Sequence, residues 1–171
     1  MPLRNATLEV LEQVQQLIRL SERVYSQQHA VAMSPIGTHI RHIIDHLWAF
    51  QEGTKTACID YNSRHRETIL ENDPLLAEKA VMLFSQWLSE ANLDTKSLTV
   101  ISEISVSQCE STLMKSNINR ELAYLINHTL HHIAYAKLLA KTLGIDVPDH
   151  LGVAPATASY LRAEKASACA H

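Results

Sequence analysis

The chain has 171 residues and a formal net charge of -3, from 15 basic and 18 acidic side chains. Its 46% hydrophobic share is that of a globular protein, and its length suits one domain with a buried core. No lysine or arginine cluster supports nucleic-acid binding, and no apolar run approaches a bilayer span. The start, Met1-Pro2-Leu3-Arg4-Asn5, lacks the apolar core of a signal peptide, so a cytoplasmic location is expected, with no membrane partner. The three cysteines, Cys58, Cys109 and Cys169, form no CxxC pair, which argues against a thiolate zinc site and a disulfide framework. Histidine is the unusual count: ten, of which six fall in two short stretches.

Few glycines and prolines interrupt the chain, which favours long helices. The first is expected from about Thr7 to about Ala30, where Leu11, Val14, Leu17, Ile18 and Val24 recur at helical spacing. The second begins at Ser34-Pro35, a cap followed by a proline, and stops near Gly53. Residues 54–72 are mixed and polar and read as a connection with about one helical turn. Asp73-Pro74 repeats the start signal, and a third helix covers about 74–91. Between Leu98 and Val106, β-branched residues alternate with small polar ones, as in an extended stretch or hairpin, or an ordered loop. The fourth helix runs from about Asn119 to Leu143 and is closed by Gly144 and then Pro148. A packed loop, one short helix and a loose tail from about 163 complete the chain. Four long helices joined by modest loops predict an all-α antiparallel four-helix bundle, one domain over 1–171.

The chemistry is expected where the histidines cluster. In His128-Thr129-Leu130-His131-His132, His128 and His132 lie one turn apart on one helical face. That face belongs to the inward stripe Leu122, Leu125, Ile126, Thr129, Ile133, Ala136, Leu139, with His131 at its boundary. One inward histidine is commonly a hydrogen-bonded core residue. Two buried a turn apart repel if protonated and cost free energy if unpaired, and a divalent cation removes both problems. On the second helix His39, His42 and His46 share a flank beside the Ile36/Ile40/Ile43/Leu47 stripe, whereas Arg41 and Asp45 point away from it. Two facing helices offering inward histidines is a common way to build a metal site in a helical core. Helical geometry does not choose between His42 and His46. Trp48 falls on the polar side, as an exposed contact or packed under the 54–72 connection. Asp45 reads as outward, Glu103 and Glu110 cannot be placed, and no general base emerges. Tyr124 and Tyr135 fall on the His128/His131 side. Arg64 and Arg66 suit either a solvated loop or an anion clamp at the bundle mouth.

Several of these stretches resemble a known family. Ser34-Pro35-Ile36-Gly37-Thr38-His39-Ile40-Arg41-His42 resembles the second-helix motif of the DinB-like proteins, and Asn127-His128-Thr129-Leu130-His131-His132, closed by Gly144, resembles their HxxxH helix. Asp60 to Arg66, Arg120-Glu121-Leu122 and Gly152-Val153-Ala154-Pro155 resemble segments of one branch of that family. The resemblance implies a metal site made by His42, His128 and His132, holding zinc or nickel. Ile133-Ala134-Tyr135 replaces the usual continuation after the last ligand, which argues against carrying over any one family activity. Known roles in the family imply a thiol-dependent S-transferase acting on a small-molecule substrate with a low-molecular-weight thiol, and a hydrolase using metal-bound water is a second enzymatic version. A non-catalytic metal-binding or stress-associated protein is the alternative, and related proteins often form homodimers. Alanine at His42, His128 or His132 is expected to abolish stoichiometric metal binding, and alanine at His39 to leave that stoichiometry nearly intact.

Overall fold

A computed structural model describes residues 2–30, 32, 34–63, 67–93 and 97–168. Six α-helices lie among them: α1 (Pro2–Ser21), α2 (Ile36–Thr56), α3 (Ile69–Asn72), α4 (Pro74–Glu90), α5 (Ile118–Thr142) and α6 (Pro155–Ala168). Three strands, β1 (Cys58–Asp60), β2 (Ser97–Glu103) and β3 (Ser111–Asn117), form one sheet in the order β1-β2-β3. The expected all-α four-helix bundle is therefore corrected to a helical core joined to a mixed three-stranded sheet.

The helical core follows from the apolar stripes. Helix α1 packs on α4 and α5, and α2 packs on α4 and α5 while also touching α3 and β1. Leu11, Val14, Leu17, Ile36, Ile40, Ile43, Leu47, Phe50, Val81, Leu88, Leu122 and Ile133 all lie at or near zero exposure in one cluster. Burying each such side chain stabilises the fold by about 1.5–3 kcal/mol relative to leaving it exposed.

Helix α1 begins earlier than expected and ends earlier. Ser21 Oγ donates back to the Leu17 carbonyl (2.7 Å), and a 3-10 turn (Glu22–Val24) leads to buried Tyr25. Helix α2 passes Gly53 and ends at Thr56, where Ala57 adopts a left-handed φ of 57° and turns the chain into β1. The Asp73-Pro74 start is realised: Leu76 N–H donates to Asp73 Oδ1 (3.0 Å), with the proline in the first turn. Asn117 caps α5 by accepting from Arg120 N–H (3.0 Å), and Gly144 takes the expected left-handed conformation, φ 79°. Helix α6 continues to Ala168, past the point where a loose tail was expected.

The sheet arises from two segments whose strand character was not anticipated. β1 lies inside the supposed connection and pairs parallel with β2, Ile59 opposite Val100. β3 pairs antiparallel with β2, from Ser97 opposite Asn117 to Glu103 opposite Ser111. Leu98, Val100 and Ile59 are buried, so one face of the sheet covers the helical core. Ile104 and Val106, expected to continue the alternation, lie exposed in the turn between β2 and β3. No described helix is long and apolar enough to cross a membrane.

Candidate metal centre

Helices α2 and α5 pack side by side and bring the two histidine stretches together. His42 contributes from α2, and His128 and His132 from successive turns of α5. One ligand atom from each lies within 4.8 Å of the other two, and all three side chains are half-buried. His42 Nε2 and His128 Nε2 are 3.0 Å apart. Ring centroids separate by 5.0 Å for His42–His128, 4.6 Å for His42–His132 and 4.6 Å for His128–His132.

Three nitrogens around one zinc at about 2.0–2.1 Å in tetrahedral geometry stand roughly 3.3 Å from one another. His42 Nε2 and His128 Nε2 are already near that spacing, a His132 nitrogen lies within 4.8 Å of both, and all three are donors of the type a borderline cation prefers. These three histidines can hold a metal ion.

His46 lies behind the trio, fully inside the core. Its ring is 4.2 Å from that of His128 and stacks on Tyr61 at 5.1 Å. Its Nδ1 is 3.4 Å from Tyr124 Oη. His39 lies on the other side, with Nδ1 3.1 Å from His132 Nδ1 and its ring against Tyr135 at 4.5 Å. His131 is exposed and touches His132 edge-on.

Electrostatics favour neutral rings. Burial, then the neighbouring His42, His128, His39 and His131, hold His132 down to about 3 from its ordinary value. Burial, then His131, lowers His39. A neutral imidazole keeps the lone pair a metal needs. The linkage has a definite sign. The unfolded chain protonates His132 near pH 6.5, whereas the folded chain resists protonation until about pH 3. The unfolded state thus binds more protons across that window, and stability falls as pH drops through it. In chelator, thermal unfolding midpoints of wild type are expected to fall steadily below about pH 6.5. His132→Gln should flatten that slope, and equal slopes in the two proteins would contradict the assignment.

Two acidic residues depart from expectation. Asp45 does not point to solvent; it is 2% exposed, and Arg41 donates to it at 2.7 Å and to Glu71 at 2.9 Å. Helix α2 is covered on several sides along its first turns, so Asp45 is paired with Arg41 inside the protein rather than solvated. Glu121 was passed over, although it is fully buried. Tyr61 donates to Glu121 Oε2 (2.9 Å), Arg120 pairs with Oε1 (2.8 Å), and Ser116 donates to the same oxygen. The signal was available: Glu121 stands seven residues before His128, two helical turns away on the same face. Burial, and next the Glu121 carboxylate, push Tyr61 well above the ordinary tyrosine value, so it remains a donor. A polar chain Glu121–Tyr61 therefore ends on the His46 ring, beside the trio.

Glu103 and Glu110 are exposed on the hairpin, away from this chain of contacts. Trp48 is half-buried and lines a groove with Glu67, Ile69 and Leu70, the packed alternative of the two expected. Arg64 and Arg66 lie outside the described residues, as does Cys169.

No family model matches the chain, and no solved structure matches it. A curated relative is the FK506-binding protein 5 of Rhizopus delemar, 30% identical over 112 residues. The match covers 64% of this chain and 29% of that protein, so the chain spans less than a third of the relative's length. The relative is named for FK506 binding, and helices here combine with a sheet, so the expected description as a DinB-like four-helix bundle is not supported.

Proposed function

We propose that this protein is a metal-dependent enzyme of small-molecule chemistry, in which His42, His128 and His132 hold one divalent ion, zinc or nickel. The observation that carries the reading is the convergence of three histidine donors from two packed helices within 4.8 Å. Three protein ligands leave a coordination position open, as in catalytic sites, whereas structural sites are closed by four. When bound, such an ion supplies Lewis acidity, acidifying a coordinated water or thiol or polarising a carbonyl. The reaction class that follows is transfer involving a low-molecular-weight thiol, or hydrolysis.

The chain's own residues shape that position. The half-buried setting of the trio limits water around it and strengthens the electrostatic interactions within it. Tyr61 and Tyr124 pack on His46 and His128 and fix the rings of the inner wall. Glu121 in turn fixes Tyr61 by accepting the hydrogen bond that Tyr61 Oη donates.

Metal content of protein purified without a histidine tag, by elemental mass spectrometry, tests the reading. About one zinc or nickel ion per chain is expected in wild type, and none in His132→Ala. Wild type that stays empty after zinc and nickel are offered would overturn it. Turnover of thiol and electrophile pairs by the loaded protein then separates an enzyme from a metal-binding protein without catalysis.

A further inference from the structure

His39 and His132 meet through like atoms, Nδ1 to Nδ1, at 3.1 Å. One proton must lie between them, since two lone pairs or two N–H groups at that distance repel. Two assignments exist. If His39 donates, His132 carries its own proton on Nε2 and has no lone pair left for a cation. If His132 donates, its Nε2 lone pair is free. Only the second is compatible with His132 as a ligand.

We propose that His39 is a positioning residue for the metal site: it accepts a hydrogen bond from His132 Nδ1–H and so fixes the tautomer that offers Nε2 to the ion. The inference rests on the metal reading above. It also explains an otherwise costly feature. With Nδ1 accepting, His39 carries its proton on Nε2, and that buried atom has no hydrogen-bond partner among the described residues. A donor left unpaired inside a protein is retained when its ring is needed for something else. The Tyr135 ring, 4.5 Å away, packs against His39 and holds it in place.

Most metal-bound histidines lean on a carboxylate, a backbone carbonyl or water. A carboxylate in that role raises ligand basicity. A neutral imidazole orients His132 without adding negative charge, so the ion keeps more of its Lewis acidity.

Zinc affinity, measured by competition with a chromophoric chelator on tag-free protein, tests the proposal in wild type, His39→Ala and His39→Gln. His39→Ala should weaken zinc about 10–100-fold at unchanged stoichiometry. His39→Gln, whose amide oxygen can accept the same hydrogen bond, should recover most of that loss. Long-range 1H–15N correlation spectra of zinc-loaded wild type should show His132 protonated at Nδ1 and ligating through Nε2. The spectrum decides the question even if His39→Ala fails to fold. Wild-type affinity in His39→Ala, or a His132 that carries its proton on Nε2, would overturn the role of His39 while leaving the metal reading intact. Wild type that binds no zinc would instead overturn the metal reading itself.

Discussion

Zinc at a hundredfold excess over its dissociation constant is expected to raise the thermal midpoint of wild type by roughly 5–10 °C. A ligand that binds only the folded state stabilises it by about 2.7 kcal/mol at that excess. For a chain of this size each kcal/mol moves the midpoint by about 2–4 °C. The selectivity for the folded state comes from the ligand set. His42 and His128 are 86 residues apart in sequence and meet only when α2 packs on α5. In the unfolded chain the pair His128/His132 remains close but lacks its third partner, so binding there is weak. His42→Ala should show little zinc-dependent shift, whatever its own starting midpoint, and His132→Ala should show none. Scanning calorimetry with and without zinc checks this. A shift of equal size in wild type and His42→Ala would mean that zinc stabilises the protein from another place.

The second large effect is expected at Gly37, near the start of α2. A Cβ there would sit 2.1 Å from the Glu71 carbonyl oxygen and 2.8 Å from Tyr25 Cε1. The nearest obstacle is backbone, so it cannot rotate away. Three segments meet at this point: Gly37 N–H donates to the Tyr25 carbonyl (2.9 Å), and Tyr25 Oη donates to the Leu70 carbonyl (2.9 Å). Alanine normally gains up to about 1 kcal/mol over glycine within a helix. Overpacking typically costs about 1–3 kcal/mol, and here it acts on a carbonyl that must move with its helix. Gly37→Ala is therefore expected to lose about 2 kcal/mol net, or roughly 4–8 °C. Gly144 is the control. It holds a φ of 79° with nothing within 4 Å of a Cβ, so Gly144→Ala meets backbone strain alone, about 1 kcal/mol. Urea unfolding of both variants separates the two causes, and a Gly37→Ala as stable as wild type would contradict the close approach.

The histidine trio was legible because helical periodicity places His128 and His132 on one face, while facing histidines on α2 narrowed its third member to two. Distance was not legible. A helical wheel cannot say that His46 sits behind the trio or that His39 touches His132. The cap at Asp73 and the left-handed close at Gly144 were readable because each depends on a few adjacent residues. Asp45 was misplaced because the wheel assumes a solvated face, and α2 has little of one. The sheet was hard to see for a different reason. β1 has three residues, and β3, Ser-Thr-Leu-Met-Lys-Ser-Asn, is mostly exposed and carries no alternation of buried and solvated positions. Strand pairing across 40 residues, as between Ile59 and Val100, has no local sequence signal.

The sheet is joined directly to both helices that carry the histidine trio. β1 follows α2 after the single residue Ala57, and β3 runs into α5 with no residue between Asn117 and Ile118. Tolerance of insertions should therefore be uneven along the chain. Extra residues in the exposed turn at 104–110 lengthen a loop and leave all three histidines where they were. One extra residue at the Asn117–Ile118 junction turns α5 by about 100° relative to its strand and swings His128 and His132 out of register with His42.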